Sequence, residues 1–149
     1  MFSNLFRKHS KEKTYSHIGI VYIAADTVYI IHAEANEITG IGHVRKEPIR
    51  QFINSSRRWG IYRIERDAHV RSNIASHALH YENRHTPFDM NFSLDNDDKV
   101  YCTQLVALAV NKADNQVLIT PGYTLQGRQF YAIDDIYLHP QFRCIYQSQ

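Results

Sequence analysis

Two residues far apart in the chain, His17 and Cys102, stand in the surroundings where such side chains carry nucleophilic chemistry. His17 opens the apolar run Ser16-His17-Ile18-Gly19-Ile20-Val21-Tyr22, which reads as a strand. Cys102 opens Cys102-Thr103-Gln104-Leu105-Val106-Ala107-Leu108-Ala109-Val110, where Cys102, Leu105, Val106 and Ala109 fall on one side of a helix. A thiol in the first turn of a helix feels the positive end of the helix dipole, and a nearby imidazolium adds to it. Together they favour the thiolate, the form that attacks a carbonyl carbon. On this reading the thiol pKa falls from about 8.5 into the range of roughly 3.5 to 7.5, so that the nucleophile is available at neutral pH. A buried structural cysteine fits the same position equally well, because free cysteine is among the most buried residue types.

A base needs a partner on its second ring nitrogen to orient it. His17 to Ala24 reads as one strand, Asp26-Thr27 as a turn and Val28 to Ala35 as a second strand, together a hairpin. Side chains alternate along a strand, so His17, Gly19, Val21 and Ile23 share a face of the first. Val28, Ile30, His32 and Glu34 share a face of the second by the same period. His32 and Glu34 therefore point the same way, and a register that turns that face towards His17 closes a triad through either of them.

The remaining elements must bring these segments together. Thr39-Gly40-Ile41-Gly42 reads as a bend, and a short helix begins at Glu47-Pro48 and runs through Phe52 and Ile53. Gly60 to Glu65 alternates as a third strand. Asp67 caps a helix that continues to about Glu82, with Val70, Ile74, Ala78 and Tyr81 at the helical period. Asn83 to Asp98 forms a long loop that delivers the chain to Cys102. Its acidic end, Asp95-Asn96-Asp97-Asp98, is placed to cap the cysteine helix and leave first-turn N–H groups free for an oxyanion. After Asn115 the pattern is one of short strands and turns, and Cys144 reads as a packing residue on a terminal strand.

Composition bounds the rest. A chain of 149 residues, 44% of them hydrophobic, suits one domain over residues 1–149. Seventeen basic against fifteen acidic side chains leave +2, which supplies no field for nucleic acid, and Arg7, Lys8, Lys11 and Lys13 read as a solvated end. The chain reads as soluble and uncleaved, without a transmembrane run or a secretion signal. Cys102 and Cys144 read as free thiols. His77, His80 and His85 lack a completing ligand for zinc, and Asp95 to Asp98 lacks the glycine and closing glutamate of a calcium loop. Tyr22, Trp59 and Tyr101 read as core or rim aromatics. Oligomeric state leaves no signal in the sequence.

Three segments resemble the permuted papain-like cysteine hydrolases of the NlpC superfamily, in particular the YiiX/YebB-like members. They are Ser16-His17-Ile18-Gly19-Ile20, His32-Ala33-Glu34-Ala35 and Tyr101-Cys102-Thr103-Gln104-Leu105-Val106, in the permuted order with histidine first and cysteine last. Pro87-Phe88-Asp89 with Phe92, and Asp134-Asp135-Ile136-Tyr137-Leu138-His139-Pro140, are also similar, so the resemblance spans nearly the whole chain. Thr103-Gln104 stands where serine and glutamate are usual. The "GD" strand that commonly precedes the histidine segment is missing, which reads as a trimmed form or a site short of one wall. The resemblance implies an α+β, papain-like fold with a small antiparallel sheet packed on helices. It also implies Cys102 as nucleophile, His17 as base and Glu34 as polar third member with His32 as its rival, and it requires no metal or organic cofactor. The implied substrate is an amide such as a peptidoglycan stem peptide. Lipid ester hydrolysis or acyl transfer is the alternative, and a non-catalytic binding module on the same fold is a reading from another class. An apolar groove beside Cys102 points to acyl chains and a tyrosine-lined cleft to peptides, and the ten tyrosines lean towards peptides.

Overall fold

Strands β1 (Ile20–Ala24) and β2 (Thr27–Ala35) form the expected hairpin, with Ile20 opposite Ile31 and Ala24 opposite Thr27. The computed structural model describes residues 14–149, so Arg7, Lys8, Lys11 and Lys13 lie outside the described residues. Ladder pairing begins at Ile20 rather than at His17. The turn is tight, with Ala25 at φ 52°.

A strand then follows where the sequence suggests only a bend and the start of a helix. Strand β3 (Gly42–Pro48) runs antiparallel to β2, from Tyr29 opposite Pro48 to Ala35 opposite Gly42, and completes a sheet of order β1-β2-β3. Its composition conceals it. In Gly42-His43-Val44-Arg45-Lys46-Glu47-Pro48 only Val44 is buried, so the period-two signal rests on one apolar residue. Gly42 is required by proximity, because a Cβ there would stand 1.9 Å from the Glu34 carbonyl oxygen. Helix α1 (Ile49–Asn54) begins only after Pro48, whose ψ of 141° is still extended.

Ile31, Ala33 and Val44 are fully buried on one sheet face, in a core shared with helices α2 (Ala68–Asn83) and α3 (Cys102–Asp114). Asp67 caps α2 as expected, its carboxylate accepting the Val70 N–H at 2.9 Å. Helix α3 has the apolar stripe of an inner helix, with Leu105, Ala109 and Val110 enclosed against Ala78 and Tyr81 in the same core. Each such Leu or Ile contributes roughly 1.5–3 kcal/mol on burial. Strand β4 (Gly60–Ile64) pairs with β7 (Phe142–Gln147), and β5 (Tyr123–Leu125) with β6 (Arg128–Phe130). One helical turn, α4 (Asp134–Tyr137), interrupts the region read as strands and turns. Cys144 lies exposed on β7 rather than packed inside, donating to the Tyr146 carbonyl at 3.3 Å. No helix among the described residues is long and apolar enough to cross a membrane.

Candidate active site

The long loop that delivers Cys102 is pinned to β3. Val44 N–H donates to the Thr86 carbonyl at 2.8 Å and Phe88 N–H to the Gly42 carbonyl at 2.9 Å, while Phe88 also bridges to Val100. The Asp89 carboxylate accepts the Asn91 and Ser93 N–H groups, which folds the loop back on itself. At the head of α3 the Tyr101 N–H donates to Gln104 Oε1 at 3.3 Å, and Gln104 Nε2 donates to the Ser93 carbonyl at 3.1 Å. The acidic tetrad is therefore not the cap that the sequence suggests. Asp97 instead takes the Tyr81 hydroxyl at 2.6 Å and Lys112 Nζ at 3.0 Å, because a cation and a phenol in the last turn of α3 and on α2 hold a carboxylate better than solvent does. The first turn of α3 is fixed by side chains: Thr103 Oγ1 donates to the Tyr131 carbonyl at 2.6 Å, and Tyr131 N–H donates to the Tyr101 hydroxyl at 2.9 Å.

Cys102 begins the helix at 2% exposure, with three backbone N–H groups, its own and those of Thr103 and Ile18, directed at the sulfur. Ile18 adjoins His17, so the two remote segments meet at this atom. Burial nevertheless dominates and pushes the thiol up to about 12, with Glu34 adding in the same direction. Burial of the sulfur thus runs against the resting thiolate that the sequence suggests, with three N–H donors acting in the opposite direction.

His17 Nε2 lies 2.9 Å from His32 Nδ1. The two rings stand at 78° to each other, and Phe52 of α1 packs against both. Burial lowers the His17 pKa, with Glu34 opposing and Arg45 assisting. His32, 1% exposed, is held at about 3 by burial, by His17 and by Arg45. Gly19 makes this approach possible, since a Cβ there would meet Ile30 Cγ2 at 2.4 Å and His32 Cβ at 3.2 Å.

Glu34 shares the sheet face but bonds elsewhere. Its carboxylate, 48% exposed, takes Arg45 Nη2 at 2.5 Å. Arg45 also reaches Glu47 Oε2 at 3.4 Å, and Glu47 Oε1 stands 2.9 Å from His32 Nε2 without lining up as a hydrogen bond. The sequence reading gives Arg45 no role and takes Glu47 as the start of a helix, because β3 is absent from it. Their signal is the alternation His43, Arg45, Glu47, which the β2 register sets opposite Glu34, His32 and Ile30. Beside His17 opens a groove of about 570 Å³, walled by Ile18, Ile20, Phe52, Ile61 and Tyr62 and floored by core residues such as Val106. Arg58, Arg63 and Arg71 line it, and no carboxylate among the described residues does.

The imidazole segment precedes the cysteine helix on an α+β scaffold, the permuted order of the papain-like class to which the family match below assigns the chain. The chain belongs to the family described as permuted papain-like amidase enzyme, YaeF/YiiX, C92 family, whose profile matches residues 2–135. The fold is similar to the crystal structure described as metalloprotein yiiX from Escherichia coli O157:H7, with a TM-score of 0.77 and 17% identity over 96% of this chain and 88% of that one. No curated protein matches the chain. It is accordingly a cysteine hydrolase of the amidase and peptidase type, with an amide-containing, peptide-like substrate.

Proposed function

We propose that Cys102 attacks the carbonyl carbon of an amide while His17 takes the thiol proton, and that His17 then returns that proton to the departing amine. His32 holds the His17 ring, and the Cys102 backbone N–H helps to stabilise the oxyanion. Water then releases the acyl group from sulfur by the same route. The observation that carries this reading is the 2.9 Å His17–His32 bond, placed one residue from the Ile18 N–H that faces the sulfur. Burial disfavours charge on both the thiol and the imidazole, so in this reading the proton moves as the carbonyl is attacked rather than beforehand.

A peptide amide such as a peptidoglycan stem peptide fits this chemistry. A second reading, in which the acyl side of the amide is a hydrocarbon chain and lipid ester or acyl-transfer chemistry shares the site, draws on the groove beside His17, although Cys102 itself does not line it. Its walls are mostly aliphatic and aromatic and it reaches His17. Each methylene buried there contributes about 0.8 kcal/mol, so ten give about 8 kcal/mol before ordering costs. The three arginines suit an anionic group on the same molecule. The test compares a dodecanoyl anilide with an acetyl-peptide anilide on the wild type, Cys102→Ser and His17→Ala. Release of the aniline in the wild type, lost in both variants, supports the mechanism, and the preferred substrate separates the two readings. Hydrolysis that survives Cys102→Ser overturns the mechanism.

A further inference from the structure

His17 and His32 meet through a pair of ring nitrogens, and a single proton lies between them. Burial of both rings disfavours the imidazolium, and between two neutral imidazoles at 2.9 Å one ring donates and the other accepts, so two tautomeric chains compete. In the first, His32 carries its proton on Nε2, its Nδ1 lone pair accepts from His17 Nε2–H, and His17 Nδ1 is left with a lone pair. In the second, His32 Nδ1–H donates to His17 Nε2, and His17 Nδ1 is protonated. His17 Nε2 is occupied by His32, so Nδ1 is the nitrogen left to accept a thiol proton. Only the first chain supplies a base.

We propose that Glu47 is a positioning residue that selects the competent chain, by facing His32 Nε2 with a carboxylate that tolerates an N–H there and repels a lone pair. This rests on the reading of His17 as the base. The geometry is specific. Glu47 Oε1 is 2.9 Å from Nε2, the residue is 16% exposed, and Nε2 is a buried atom with no other partner among the described residues. The oxygen stands off the N–H axis, so the selection comes from its charge beside Nε2 more than from a straight hydrogen bond. Arg45, directly opposite His32 in the sheet register, holds the Glu47 and Glu34 carboxylates together, keeping Glu47 in place. The charged and titratable groups around His32 are thus His17 from the first segment, Glu34 from β2, and Arg45 and Glu47 from β3, while α1 contributes the apolar Phe52. During the reaction the Cys102 proton passes to His17 Nδ1 and the sulfur electron pair goes to the carbonyl carbon. Glu47 gives and takes no proton.

The full chain labelled with ¹⁵N in its histidine rings reports the tautomers directly, because protonated and bare ring nitrogens resonate far apart. The wild type is expected to show Nε2–H on both His17 and His32. Glu47→Asp keeps the charge and should keep both tautomers. Glu47→Gln can turn its amide N–H groups towards Nε2, so it should move the proton to Nδ1 on both rings and lower kcat by about 10²–10⁴-fold, the range of a lost general base, with little change in KM. Nδ1–H tautomers in the wild type, or unchanged tautomers in a folded Glu47→Gln, overturn the proposal. If Glu47→Gln fails to fold, the wild-type and Glu47→Asp spectra still decide. These spectra need no substrate, so failure of the amide mechanism would register separately, as hydrolysis that survives Cys102→Ser.

Discussion

Alkylation across pH is the most direct probe of the resting site. A thiol moved from 9.0 to about 12 holds, at any pH below 9, roughly a thousandth of the thiolate of an unperturbed one. Iodoacetamide reacts with thiolate, so labelling of Cys102, read peptide by peptide in a mass spectrometer, should be slow at pH 7 and rise about tenfold per pH unit to beyond pH 10. Poor access to a 2% exposed sulfur scales the whole curve without changing its slope, which separates burial of the atom from suppression of its charge. The same shift has a stability counterpart. A raised folded-state pKa stabilises fully below the unfolded value and the contribution is lost as pH rises from 9 towards 12, by up to about 4 kcal/mol at 1.36 kcal/mol per tenfold. Urea titrations of the wild type against Cys102→Ala should diverge in that window. Labelling that plateaus below pH 8 would refute the reasoning, for it would show a preformed thiolate and imidazolium.

Replacing His32 by Asn should lower kcat about 10²–10⁴-fold, whereas Glu34→Gln should cost less than about tenfold, measured with whichever anilide the wild type cleaves. His32→Asn should also flatten the acid limb of stability. A histidine held at about 3 stabilises the fold above pH 6.5 and loses that contribution as pH falls towards 3, to a total of about 5 kcal/mol. Tyr101→Phe should cost about 1–3 kcal/mol in urea unfolding, because it leaves the Tyr131 N–H without its acceptor in a buried place.

The His17 and Cys102 segments were legible because each is a short motif whose meaning is local: a polar residue heading an apolar strand, and a thiol heading an apolar helix. The same holds for Asp67, whose capping role depends on three following residues. What was not legible depends on distant partners. The choice between His32 and Glu34 turns on how the His17 ring leaves a segment that the ladder does not reach, and Phe52, packing on both rings, helps to set it. Strand β3 carries charges because its outer face holds an ion cluster, so hydrophobic alternation could not reveal it. Asp97 looked like a cap by sequence distance but found Lys112, a residue fifteen positions away. The thiol pKa required knowing how deeply the sulfur is enclosed, a property of the assembled core rather than of the helix start.

Strand β3 bonds on one side to the hairpin strand bearing His32 and on the other to the loop running up to Cys102. It works as a common ruler: a displacement of β3 carries the acid–base side and the sulfur side along together and leaves their spacing intact. Damage to this polar strand should therefore misalign two arms of the machinery at once, although neither reacting atom belongs to it.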